Sequence, residues 1–176
     1  MKATKVVGRR KPPRTPQERH ALAVKMYRAA IAMSPYPRPR GLYVIIGAQA
    51  AILHATSAIR TTWTFLLATT NRITPASAPR FWELEDHAAA ELTPRDLSEN
   101  VVVKIADEVE VDVSTRAWKV TYAEAIPTAQ RVLIEGVEIP FVALPILIAS
   151  KETQRDQDQV DVRRLRELLR REEEES

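Results

Sequence analysis

The sequence predicts an α/β fold, a mixed β-sheet flanked by helices, on three observations. Leu42-Tyr43-Val44-Ile45-Ile46 is a short run of β-branched and aromatic residues that ends at Gly47 and passes into the helix formers Ala48 to Ala55. Val101 to Ile105 and Glu108 to Val113 read as consecutive strands turning at Ala106-Asp107. The second of these alternates with period 2, so Glu108, Glu110 and Asp112 share one face. Asp158 to Arg171 sets Val162, Leu165 and Leu169 at i, i+3 and i+7 among arginines, which makes an amphipathic C-terminal helix.

Taken in order, residues 1–14 combine basic charge with Gly8 and Pro12-Pro13 and hold few apolar groups, the composition of a disordered basic tail. Thr15-Pro16-Gln17-Glu18 is a helix start, with a Thr cap, a Pro at the first helical position and a Glu three residues on. Leu22, Met26, Ala29, Ala30 and Met33 then form one apolar face. Pro35, Pro37 and Pro39 end that helix, so residues 15–40 read as a helix and a Pro-rich linker before the main domain, 41–171. Leu42 to Ile46 suits a strand buried on both faces, and Trp63 to Ala68 a second strand. Pro75 to Leu92 reads as a helix with a boundary near Pro79. Tyr122 to Ala129 reads as a short helix, and Arg131 to Ile134 and Val137 to Val142 flank Glu135-Gly136 as a hairpin. Pro145 starts a helix at its first turn. Glu172 to Glu175 sit unfavourably for the dipole of the last helix, so its final turn is expected to fray into an acidic tail, 172–176.

The 26 Lys and Arg against 23 Asp and Glu leave a net charge of +3, too small to define a function. The charge is uneven, however. Residues 1–20 carry seven basic side chains against Glu18 alone. Such a tail suits an acidic partner or a nucleic acid, or simply aids solubility. The absence of cysteine excludes disulfides, thiolate nucleophiles and Fe–S ligation. The apolar runs Leu42–Leu53 and Val132–Ala149 are interrupted by Gln49, Glu135 and Glu138 and fall short of the ~20 apolar residues of a membrane helix. A cytoplasmic protein without membrane partners is expected.

Motifs for self-contained chemistry are missing from the sequence. His20, His54 and His87 lie far apart, and His87 has one possible ligand partner, Glu91 at i+4. There is no P-loop, no GxGxxG and no GxSxG elbow.

Four features taken together do form a pattern: the strand–Gly47–helix unit, Arg60-Thr61-Thr62 at the start of the next strand, Val111-Asp112-Val113, and a C-terminal series. That series is Leu147-Ile148-Ala149-Ser150-Lys151 followed by Arg155-Asp156-Gln157-Asp158-Gln159-Val160-Asp161-Val162. Over residues 42–170 the chain resembles the small nucleotidyltransferase-like family of the AbiEii/MNT kind, found in bacterial toxin–antitoxin and defence systems. The resemblance implies a nucleotidyltransferase-like mixed sheet, an NTP as substrate, and an RNA or protein as acceptor or partner. It further implies Mg²⁺ as cofactor if the site is active, and none if it is not. In that family two aspartates on the second strand and a third acid on a later strand clamp two metal ions for attack on an NTP α-phosphate.

Carried over residue by residue, Thr64 and Leu66 stand at the two aspartate positions and Asp112 at the third. Gly47, Ala48, Arg60, Thr62 and Lys151 fall at nucleotide-side positions, and Arg155, Asp158 and Asp161 at the C-terminal signature. Threonine offers a neutral oxygen and leucine none, so the resemblance implies a degenerate site with Asp112 as its one metal-binding carboxylate. Glu108 and Glu110, on the face of Asp112, are either substitute acids or part of a solvated edge. Three alternatives stand beside the degenerate transferase: a binding module that uses the basic tail, an active transferase with recruited acids, and an engineered inactive variant.

Overall fold

The computed structural model describes residues 2–9, 15, 43–54, 63–68, 86–93, 95–107, 110–134 and 137–175. The expected N-terminal helix and Pro-rich linker, and most of the helix expected over 75–92, lie outside these residues.

Among the described residues the strands are β1 Lys2–Gly8, β2 Tyr43–Ile46, β3 Trp63–Leu67, β4 Asn100–Ala106 and β5 Glu110–Ser114. They continue with β6 Arg116–Ala117, β7 Val120–Thr121, β8 Gln130–Ile134 and β9 Val137–Phe141. The helices are α1 Ala48–Leu53, α2 Asp96–Glu99, α3 Tyr122–Ala125, α4 Leu144–Lys151 and α5 Asp156–Glu174. One mixed seven-stranded sheet runs in the order β1-β4-β5-β3-β2-β9-β8, and β6 and β7 form a separate ribbon. The α/β class expected from the sequence is the class observed.

One face of the sheet is apolar along its rows. Ile45 pairs with Phe65, Phe65 with Val113 and Val113 with Val103, while Trp63, Val111, Ile105 and Val7 make the next row; all are buried. Sealing such rows contributes about 25 cal/mol per Å² of apolar surface removed from water, and this is the main source of the fold's stability. Tyr43–Ile46 is buried throughout, as expected of a strand covered on both sides.

The basic N-terminus departs from expectation. Lys2–Gly8 is not a disordered tail but an outer strand of the sheet, parallel to β4 over Lys2–Asn100 to Gly8–Ala106. Val7 is buried, and Lys5 Nζ lies 2.7 Å from Asp96 Oδ1, so the strand has both an apolar and an ionic anchor. Composition misses it because its partner strand lies nearly a hundred residues away. The strand ends at Gly8, whose φ of 77° and contact with Ala106 O leave no room for a Cβ.

Two further expectations change. Within the expected helix 75–92, the described end is a turn with His87 in the left-handed region, φ 50°, followed by one 3₁₀ turn at Ala88–Glu91. The buried Asp107 carboxylate sets this turn by accepting from the amides of Asp86 at 3.0 Å and Ala88 at 2.9 Å. Glu91 accepts from Gly8 N at 3.3 Å. At the other end of the chain α5 does not fray at Glu172 but continues to Glu174. Arg170 and Arg171 both pair with Glu167 one turn back, which ties the last turns of the helix together.

The hairpins expected at Ala106-Asp107 and Glu135-Gly136 are the antiparallel pairs β4–β5 and β8–β9. The short helix after Tyr122 begins in a capping box, with Thr121 and Glu124 bonded to one another at 2.7 Å. Asp96, the first residue of α2, accepts from the Thr93 amide at 2.7 Å and hydroxyl at 2.9 Å.

Candidate functional site

The second face of the sheet carries a row graded from core to solvent. Ile46 pairs with Thr64, Thr64 with Asp112, Asp112 with Lys104, and Lys104 with Val6. Ile46 is buried, the next three are half-buried, and Val6 is exposed. The row exists because β3 lies antiparallel to β2 and parallel to β5, which brings residues far apart in the chain into direct register.

Gly47 closes the row from above. It follows β2 with a φ of 75°, a conformation that L side chains rarely adopt, and a Cβ there would lie 3.0 Å from Thr64 Oγ1. The tight turn passes into α1 through Ala48, with the Ala51 amide donating to Gly47 O at 3.1 Å. Sequence residues Gly47, Ala48, Thr64 and Asp112 are therefore brought together.

Asp112 already has a cation. Lys104 Nζ donates to Asp112 Oδ1 at 2.7 Å, with the carboxylate side chain only 18% exposed. Lys104 was visible in the sequence as one charge in the run Val101-Val102-Val103-Lys104-Ile105, eight residues before Asp112. A two-residue turn at Ala106-Asp107 would set Lys104 opposite Val109; the observed register, with Ala106 opposite Glu110, sets it opposite Asp112.

Leu66 sits one alternation along β3, between Val44 of β2 and Ser114 of β5, and is 0% exposed. It belongs to the core and supplies no surface to a ligand. Ser114, on the face of Asp112, is occupied too, donating to Val101 O at 2.7 Å. Glu110 shares that face and pairs with Ala106; Glu108, Arg60 and Thr62 lie outside the described residues.

The divalent ion that the family resemblance implies does not fit this donor set. A hard cation needs carboxylate charge to displace its hydration water. At the aligned positions the site offers a neutral hydroxyl, a buried leucine and an acid neutralised by lysine. Among the described residues, no group of three His, Asp or Glu side chains could hold a metal.

The C-terminal signature assembles elsewhere, between α4 and α5. Lys151 Nζ lies 2.6 Å from Asp161 Oδ2 and 3.6 Å from Asp158 Oδ1, with all three side chains mostly buried. Thr153 Oγ1 donates to Asp158 at 2.6 Å, Gln157 Nε2 donates to Asp161 at 3.2 Å, and Arg155 Nε lies 3.8 Å from Asp158. Lys151 is thus committed to two carboxylates, and the cluster holds the last helix against its neighbour.

His54 is a core residue, its Nε2 lying 3.2 Å from Val142 O. Among the described residues no helix is long and apolar enough to cross a membrane. No family model matches the chain, and neither does any curated protein or solved structure.

Proposed function

We propose that this chain is a nucleotidyltransferase-like domain that has lost two-metal catalysis and serves as a non-catalytic binding component of a cytoplasmic toxin–antitoxin or defence system. The observation that carries the reading is the ion pair of Lys104 with Asp112 directly beside Thr64. An ammonium on the chain itself neutralises the one acid of the aligned set, so a divalent ion has little charge to attract it. The strand–glycine–helix corner at Gly47 and Ala48, with a neighbouring strand that carries an acid, supports the nucleotidyltransferase-like part of the reading. In this reading an NTP phosphate meets the Gly47–Ala48 corner, and Lys151 braces α5 instead of reaching the nucleotide.

The test is incubation of the full chain with labelled NTPs, Mg²⁺ or Mn²⁺, and RNA and protein acceptors. The expected result is no incorporation of NMP, both for the natural sequence and for Lys104→Gln. Incorporation that disappears in Asp112→Ala overturns the proposal and establishes an active transferase with recruited acids.

A further inference from the structure

The β6–β7 ribbon carries a second surface, at the far end of β5 from the Gly47 corner. Its two short strands pair Arg116 with Thr121 and Ala117 with Val120, leaving Trp118-Lys119 as the turn. Trp118 takes a φ of 55°, in the left-handed region where Gly, Asn or Asp is the ordinary choice. A bulky aromatic is strained there. Trp118 is nevertheless 47% exposed, so about half of this large ring faces water.

The ribbon is anchored at its base. Ser114 Oγ donates to Val101 O at 2.7 Å and accepts from Arg116 N at 3.1 Å, fixing the base of the ribbon to β4. On the other side Thr121 closes the capping box with Glu124. Arg116, two residues before Trp118, and Lys119, the next residue, are both exposed. The nearby acid is Glu124, whose carboxyl is held below its ordinary value first by the Thr121 hydroxyl and amide, and also by Arg116.

We infer that this tip is a contact site for single-stranded nucleic acid, with a base stacked on Trp118 and phosphates met by Arg116 and Lys119. An exposed ring presents a π-face that any base can cover, and cations one or two residues away track the adjoining backbone. A half-exposed Trp in the left-handed region, at the point of a ribbon anchored at its base, is open to a stacking ligand. The site is independent of the nucleotidyltransferase reading, because it shares no residue with the Gly47–Asp112 row.

The test is anisotropy of a fluorescein-labelled decauridylate titrated with the full chain at several salt concentrations. Binding is expected, and Trp118→Gly is expected to weaken it about tenfold, in line with the loss of one stacked base. Trp118→Phe should keep most of the affinity. Lys119→Gln should lower the slope of log affinity against log salt by about 0.7, one phosphate contact on a single strand. The inference is overturned if the natural chain does not bind the oligonucleotide, or if Trp118→Gly binds it equally well. Binding to phosphatidylserine vesicles without binding to the oligonucleotide assigns the tip to membranes and overturns it too.

Discussion

Replacing Leu66 with Asp, which writes back one carboxylate of the resembled motif, is expected to unfold the protein, whereas Thr64→Asp leaves it folded. Leu66 is fully buried between Val44 and Ser114. Truncating a buried leucine costs about 2–5 kcal/mol. An unpartnered carboxylate at the same place adds about 3–5 kcal/mol, because a buried ion lacks both water and a counter-charge. Together these approach or exceed the ~5–15 kcal/mol by which most domains are stable. Thr64 lies two residues away on the same strand face but is only half-buried, and its neighbour Asp112 is already compensated by Lys104. An aspartate there costs about 1–2 kcal/mol, mainly through repulsion from Asp112. Far-UV circular dichroism and urea unfolding at pH 7 separate the two variants. A folded Leu66→Asp protein with the natural urea midpoint places that side chain in water and refutes the burial on which the degenerate site rests.

Gly8→Ala should lower the unfolding free energy by about 2 kcal/mol or more, since its Cβ would lie 2.2 Å from Ala106 O and 2.6 Å from Ala88 Cβ at a φ of 77°. An unchanged urea midpoint refutes the docking of β1. Tyr43→Phe should raise stability by about 1 kcal/mol, because the phenol oxygen is buried with no hydrogen-bond partner among the described residues. Burial also pushes that phenol up to about 12. The edge-on contact with Phe65 at 5.5 Å is kept, and a lower midpoint reveals a partner for the hydroxyl. Burial pushes the Asp96 carboxyl up, but Lys5 and the Thr93 amide and hydroxyl outweigh it and hold the group below its ordinary 3.8. A lowered folded pKa gives stability that is present above that ordinary value and lost as pH falls through the folded one. Urea midpoints of the natural chain should therefore drop below about pH 4, and Lys5→Met should cost about 1–2 kcal/mol at pH 7 and flatten that acid limb. Lys151→Met strands Asp158 and Asp161 and should cost about 2–3 kcal/mol, read as an earlier thermal transition.

Local chemistry made much of the fold legible. The apolar run before Gly47, the hairpins at Ala106-Asp107 and Glu135-Gly136, and the leucine spacing of α5 each specify an element through its own neighbours, and each is observed. Of the candidate site only the residue types were legible: threonine, leucine and aspartate at the positions that the resemblance aligns, with neither their burial nor their partners. The i+4 spacing of His87 and Glu91 would bring them together only on a continuous helix, and a carboxylate from Asp107 bends that stretch into a left-handed residue and a 3₁₀ turn.

What tertiary structure alone decided is who faces whom. A basic segment that composition assigns to a tail becomes the sheet's outer strand because β4 presents an unpaired edge and Asp96 a counter-charge. Lys104 and Asp112, eight residues apart, meet because the hairpin register aligns them, and Thr64 joins them only through parallel pairing of β3 with β5. The same register sinks Leu66 while leaving Thr64 half in water. Sequence determined the periodicities and the inventory of charges through interactions a few residues long. Register across the sheet comes from burying distant apolar rows together, and that collective choice settles which charges are spent on one another.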